Sequence, residues 1–244
     1  MHSVAVVIKR ELAGYFSTPV AYVFIVIFLA FSAALTFYVG GFFHRQTASL
    51  ETFFMFHPWL FLILIPAVAM RLWAEERKSG TIELLMTLPL ATTAAVVGKF
   101  LAAWVFIAVA LVLTTPMWVT VNVLGSPDNG VIVSSYLGSL LTAGAFLAIG
   151  SCMSAVTRSQ VVAFILAATV CFLFTMSGVE LVLETVRVLA PPALVDLVAS
   201  LSFMSHFQMM TKGAIDARDI VFFVSMIVLW LFATVIVVNA NKGR

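Results

Sequence analysis

Apolar residues run through this chain in long unbroken stretches, and charge falls only between them. No Asp, Glu, Lys or Arg occurs in 12–44, 52–70, 100–127, 129–157, 159–179 or 220–241. About 20 apolar residues let a helix cross a bilayer, so these six runs predict six transmembrane helices. Their expected positions are 20–39, 58–73, 98–123, 134–156, 161–178 and the run 220–241. Barrel strands are about 10 residues long with alternating polarity, which excludes that architecture here. An even number of spans puts both termini on one side. No small-residue cleavage pattern follows the first apolar run, so no removable signal peptide is expected.

The polar punctuation refines this picture. Val4, Val7, Ile8, Leu12 and Tyr15 recur at helical spacing, with Lys9, Arg10 and Glu11 opposite them. This predicts an amphipathic helix over 1–17 lying in the membrane interface, ended at Ser17-Thr18-Pro19. An external loop is expected to hold His44, Arg45, Glu51 and His57, and the Gly125–Gly130 stretch reads as a second external turn. The fourth span carries Gly138, Thr142, Ala145, Gly150 and Ser154. Small residues let helices approach closely in lipid, either within this chain or between subunits.

The segment 179–206 breaks the pattern. Glu180, Glu184 and Arg187 share one helical face, and Pro191-Pro192 then interrupts the helix. A charge at mid-bilayer costs about 2.5–3.5 kcal/mol. Two short helices forming an outer re-entrant hairpin therefore fit better than a seventh span. Irregular backbone at membrane depth survives only under cover, so this hairpin is expected to pack on other spans near the outer end of any pathway.

Composition supports a membrane protein: 63% hydrophobic residues and a mean hydropathy of +1.14. The net charge of +2 says little, but its distribution orients the chain. With the N-terminus inside, Lys9, Arg10, Arg71, Arg77, Lys78, Lys99, Arg158, Lys242 and Arg244 are cytoplasmic, nine bases against four outside (Arg45, Arg187, Lys212, Arg218). The positive-inside rule favours that arrangement, with both termini cytoplasmic.

Catalytic chemistry is sparse. The histidines His2, His44, His57 and His206 are scattered, and none pairs with an acid at ligand spacing inside a span. The expected spans carry no buried Asp, Glu or Lys, which argues against an ion-coupled carrier. A phosphate-cradling glycine-rich loop is missing too. Cys152 and Cys171 read as packing residues. The cluster around Met204, His206, Met209 and Met210 reads as packing ahead of Cu(I) contact. Nothing points to nucleic acid.

One stretch remains, AEERKSGTIELLMTLP at 74–89, with five charges in the nine positions Glu75 to Glu83. Such a segment must stand in water. Arg71–Lys78 can carry the second span out of the membrane as helix. Ser79-Gly80 breaks it, since Gly costs about 1 kcal/mol in a helix. Thr81–Leu88 can form a second short helix, with Glu83 in its first turn, where negative charge suits the dipole. Pro89 stops it. Ile82, Leu84, Leu85, Met86 and Leu88 make that helix too apolar for free solvent. It calls for a partner surface or the bilayer interface.

The run Glu75-Glu76-Arg77-Lys78-Ser79-Gly80-Thr81-Ile82-Glu83-Leu84-Leu85-Met86-Thr87-Leu88-Pro89 resembles the signature between the second and third spans of ABC-2 type transporter permeases. The resemblance covers the whole of 1–244 as one transmembrane domain. Ser205-His206-Phe207 and the run from Lys212 to Asp219 are similar to the gliding-motility-associated branch. It implies an all-α permease of six spans, and a coupling helix docking on a separate ATPase. On that basis Glu75, Glu76, Arg77, Lys78, Ser79, Gly80, Thr81, Glu83, Leu84 and Leu85 form the coupling segment. Glu180, Glu184, Arg187, Pro191 and Pro192 mark the outer hairpin and gate. ATP and magnesium would sit on the partner ATPase, not on this chain. Two permease copies, the bilayer and a membrane-anchored extracytoplasmic accessory subunit complete the expected partners, in a bacterial cytoplasmic membrane. The expected activity is export. The competing class is a membrane-embedded enzyme or a non-transporting scaffold that transmits force.

Overall fold

A computed structural model describes residues 2–44, 47–80, 91–189 and 191–240, and the described residues form helices and connecting turns without strands. In chain order the helices are α1 (His2–Phe16), α2 (Pro19–Ala34), α3 (Glu51–Met55), α4 (His57–Ala69) and α5 (Arg71–Ser79). After them come α6 (Thr92–Val112), α7 (Thr115–Leu124), α8 (Asn129–Val156) and α9 (Gln160–Met176). The last four are α10 (Glu180–Leu189), α11 (Pro192–Ser200), α12 (Phe203–Thr211) and α13 (Ala217–Ala240). Helix α2 runs on into a wider π-type turn at Leu35–Val39.

Among the described residues five stretches are long and apolar enough to cross a membrane, Pro19–Val39, His57–Ser79, Thr92–Leu124, Asn129–Val156 and Ala217–Ala240, and the pair Pro192–Ser200 and Phe203–Thr211, bent by 57°, makes a sixth if it counts as one span. The fifth charge-free run yields only the 17-residue α9. Its helix is shorter than its apolar run because both ends are capped early. The Ser159 side chain accepts from Val162 N–H at the start, and the Ser177 backbone N–H returns to the Leu173 carbonyl at the end. Similar chemistry sets other boundaries. Asp128 Oδ1 accepts from the backbone N–H groups of Gly130 and Val131, which fixes the turn into α8. Pro19, Pro116 and Pro192 each sit in a first helical turn, where a missing N–H costs nothing.

Helix α8 is the axis of the bundle, with Leu141–Cys152 buried throughout. It packs on α4, α5, α6, α9, α12 and α13. Its small residues serve these contacts within the chain: Gly138 faces Met210 and Phe207, Gly144 faces Trp104, and Gly150 faces Ala69. Helices α2, α9 and α13 turn apolar side chains outward, among them Val26, Phe31, Ile165, Phe172, Val228 and Phe232. In water such a surface would drive association. In a bilayer, lipid tails cover it.

The polarity pattern places His57 in an external loop; the structure buries it completely. Short helix α3 turns Phe53 and Phe54 inward, and they meet the imidazole edge-on at 4.5 and 5.2 Å, with Phe28 and Phe61 on other sides. His57 Nδ1 lies 2.8 Å from Ser139 Oγ, whose hydroxyl donates to the Ser135 carbonyl at 2.9 Å. Helix α8 supplies the partner of Nδ1, whereas the buried Nε2 has none among the described residues.

Candidate functional site

The second span does not stop at the membrane-facing residues. After a break at Met70, α5 continues it for nine residues as an arm. Arg71 and Glu75 pair at 3.1 Å one turn apart. Arg77 and Lys78 occupy the last turn, where positive charge suits the helix dipole. Ser79 Oγ donates back to the Glu75 carbonyl at 3.0 Å. Gly80 closes the arm at φ 74°. Nothing lies within 4 Å of where its Cβ would stand, so the backbone angle rather than space favours glycine. The break expected at Ser79-Gly80 is therefore present. Thr81, Glu83, Leu84 and Leu85, with the rest of 81–90, lie outside the described residues.

One face of the arm is built into the bundle. Leu72, Trp73 and Ala74 are buried. The Trp73 indole N–H donates to Ser151 Oγ at 3.1 Å. The Arg77 guanidinium donates to the Ala155 carbonyl at 2.6 Å, at the end of α8. From the other side, Lys99 of α6 places its ammonium 2.7 Å from Glu76 Oε1 and 3.5 Å from Glu11 Oε1 of α1. It also stands 5.3 Å from the centre of the Trp73 ring, a cation–π distance. Glu11 itself pairs with Arg10 at 2.7 Å. Three helices thus meet on one ammonium group. Nearby, Tyr15 stacks on Phe106 at 5.2 Å. Burial, with Glu11 adding and Arg71 opposing, pushes its hydroxyl well above the ordinary tyrosine range. Thr92 Oγ1 donates to Asn239 Oδ1 at 2.8 Å. The far end of α13 therefore joins α1 and the arm at this end of the bundle.

Lys99 corrects the expectation that no span carries a buried lysine. It is 3% exposed and lies inside α6, two turns past the helix start at Thr92, where Glu11, Glu76 and Trp73 surround its ammonium. Its compensating acids come from α5 and α1, far away in sequence, and no local pattern reveals them.

The expected outer residues sit at the opposite end. Ser134 of α8 donates to the Met210 carbonyl there at 2.8 Å, twenty residues before Ser154. At 1.5 Å per residue that is about 30 Å, one hydrocarbon thickness. Helices α10 and α11 are the two short helices expected on either side of Pro191-Pro192. Pro191 is extended, and Pro192 opens α11. Glu180 and Arg187 pair at 3.0 Å with side chains 68% and 55% exposed. Such a pair contributes under about 1 kcal/mol. Glu184 is exposed as well. Helices α10 and α11 pack chiefly on each other, so these charges are not covered by the long helices, contrary to the expectation that this segment packs on the spans.

A second correction lies beside the hairpin. His206 of α12 does pair with an acid: its Nδ1 is 2.6 Å from Asp219 Oδ1, and its Nε2 is 3.1 Å from the Ser200 carbonyl. The ring stacks on Phe222 at 4.0 Å. Asp219 is 5% exposed in the first turn of α13, so a buried acid exists there too. Both residues fall in the runs that carry the branch resemblance, but their thirteen-residue separation hides the contact. Among the described residues no group of three or more His, Cys, Asp or Glu is placed to hold a metal ion.

The site therefore offers a charged arm, braced by three helices and closed at Gly80. Residues 40–240 match the family model described as ABC-2 family transporter protein. No curated protein matches the chain.

Proposed function

The chain belongs to the ABC-2 transporter family as a membrane permease subunit of an ABC transporter, and from that premise we propose that α5 with the segment after Gly80 couples it to the ATPase. The observation that carries this reading is the arm: a nine-residue extension of a span, closed at Gly80 and braced through Glu76, Arg77 and Trp73. A solvated loop needs none of this bracing. A lever does, because displacement at its tip must reach the spans rather than dissipate.

In this reading the end holding α1, the arm and the end of α13 is cytoplasmic. The excess of bases on that side supports it. Helix α9 serves as one of six spans, since 17 residues reach the lower limit for crossing a bilayer. Two copies form the pathway between them, with two ATPases below and the α10–α11 hairpin at the outer end. ATP-driven closure of the ATPases moves both arms, and the spans exchange inward- and outward-facing states. Such an exchange requires different partner contacts in the two states. Export across a bacterial cytoplasmic membrane, with an extracytoplasmic accessory subunit of the gliding-motility-associated kind, completes the proposal.

Two measurements test it. Single cysteines at Lys78 and Glu83 should react with an impermeant reagent only from the cytoplasmic side; labelling from outside overturns the orientation. Replacing Gly80→Leu together with Glu83→Ala should leave permease yield and thermal stability near normal. ATPase co-purification, or its stimulation by the permease, should fall. A double variant that keeps its ATPase and full activity makes the stretch a solvated loop.

A further inference from the structure

A single hydroxyl of α8 sits inside the hydrogen-bond ladder of the second span. Helix α4 ends at Ala69 and α5 starts at Arg71. A helix start leaves up to four N–H groups without intrahelical partners. Two N–H groups in the first turn of α5, those of Trp73 and Ala74, donate to Ser154 Oγ at 3.1 and 3.0 Å. The Ser154 hydroxyl donates in turn to the Met70 carbonyl at 2.9 Å. One oxygen therefore caps the arm and holds the carbonyl just before it. Ser154 is fully buried, so no water competes for these bonds.

Two other features converge on the same point. Met70 N–H donates to the Pro66 carbonyl at 2.9 Å. Pro66 itself lies inside α4 without an N–H to give, and a helical proline crowds the carbonyl four residues before it. One turn before Ser154, Gly150 admits Ala69: a Cβ there would lie 2.4 Å from the Ala69 Cβ. Proline and an inserted side chain are two recognised causes of a helix kink, and both occur here within two turns. The close approach at Gly150 keeps Ser154 in reach.

We propose that Ser154 is the fulcrum of a hinge at Met70–Ala74, the positioning residue about which α5 turns relative to the rest of the second span. The inference rests on the reading of α5 as the coupling arm. A hydroxyl oxygen accepts from a broad range of directions. It can keep both arm N–H groups while the arm changes angle. A regular ladder loses its bonds under the same rotation. Of the remaining restraints, the Trp73 indole on Ser151 lies at the hinge itself, while Arg77 on the Ala155 carbonyl and Glu76 on Lys99 lie farther along the arm. Their groups move most when it swings, so they exchange first.

The test uses tagged permease purified with the ABC ATPase that accompanies it from native membranes. Nitroxide labels go on Lys78→Cys at the arm tip and Val156→Cys at the end of α8. Cys152 and Cys171 are buried, so the label selects the introduced sites. The unmutated background should give one narrow distance without nucleotide and a different narrow distance with trapped ATP and vanadate. Ser154→Ala should broaden the distribution in both states. The ATPase should still co-purify, and its stimulation by the permease should fall at least fivefold. Ser154→Thr, which keeps the hydroxyl, should restore a narrow distribution. If Ser154→Ala does not fold, amide exchange on the unmutated complex decides: protection over 70–80 should change with nucleotide while that of 141–152 stays constant. Identical distances in both nucleotide states, unchanged exchange over 70–80, or a Ser154→Ala distribution as narrow as the unmutated one overturns the hinge and leaves the coupling reading intact. If no ATPase accompanies the unmutated permease, the coupling reading itself fails and the hinge falls with it.

Discussion

Glu76→Gln asks whether α1, α5 and α6 are joined through a buried cation. The Lys99 side chain is 4% exposed, while those of Glu76 and Glu11 are 20% and 19% exposed. Removing the Glu76 charge leaves the ammonium with Glu11 alone, at 3.5 Å and already shared with Arg10. Breaking a buried pair costs about 3–5 kcal/mol when the survivor stays buried and charged. Glu11 remains, so the lower end applies, about 3 kcal/mol. Lys99→Met is the asymmetric partner. The two carboxylates are near enough to water to rehydrate, and the thioether refills the space over Trp73, so the cost is about 1 kcal/mol.

The double variant should then lie close to Lys99→Met alone, a coupling of roughly 3 kcal/mol between the two sites. Thermal unfolding in detergent reads this directly. At 2–4 °C per kcal/mol for a chain of this size, Glu76→Gln should lower Tm by about 6–12 °C and Lys99→Met by about 2–4 °C. High salt should change the Glu76→Gln deficit little, because the buried cation is poorly screened. If Lys99→Met costs as much as Glu76→Gln, or the two losses simply add, the ammonium is not the junction described.

Gly150→Ala should destabilise by about 1–3 kcal/mol through overpacking against Ala69. Gly14→Ala, where nothing lies within 4 Å of the new Cβ, should stabilise by about 0.5–1 kcal/mol; thermal unfolding of both separates close approach from helix propensity. His206→Leu strands the Asp219 carboxylate at 5% exposure and should cost about 3 kcal/mol. Most of that loss should return in His206→Leu with Asp219→Leu, and no recovery would mean that the pair does not hold α12 to α13.

The helices were legible because their boundaries are written locally. Asp128, Ser159 and Gly80 cap or close elements within three residues of themselves, and Pro191-Pro192 splits α10 from α11 wherever the pair is placed. The arm beyond the second span was legible for the same reason. What local pattern could not supply is the partner across space. Lys99 counts as an ordinary cytoplasmic base until α1 and α5 bring two acids to it. His57 looks like loop until α3 folds two phenylalanines over it and α8 offers Ser139. Ser154 is one small residue among many on α8, and only the break at Met70 makes its hydroxyl distinctive. Charge-free length also overstates helix length, as α9 shows, because a run of apolar letters includes its own caps and turns.

That same distinction bears on how a signal could cross the membrane. A lever works only against something that does not move with it. Helix α8 fits the second role: Leu141–Cys152 are buried throughout, and at Gly144 and Gly150 neighbouring side chains come within 3 Å of where a Cβ would stand. Close-packed interiors shift between discrete arrangements rather than deforming smoothly. Polar contacts tie α8 to the arm through Ser151, Ser154 and Ala155 and to α12 through Ser134, with Ser139 on His57 between them. On the hinge proposal, rotation of the arm about Ser154 would drag α4 along α8, while α12 would follow through the Ser134 end and α13, which also meets α6 through Asn239 and Thr92, would follow at both ends. The order of events is then set by strength of attachment. On the hinge proposal, bonds at the tip of the arm should release first, the Ser154 cap should persist, and the His206–Asp219 contact should respond last. Exchange measured residue by residue along α5, α4 and α13 would show that order or its reverse, and the reverse would place the origin of movement at the α10–α11 end of the bundle instead of the arm.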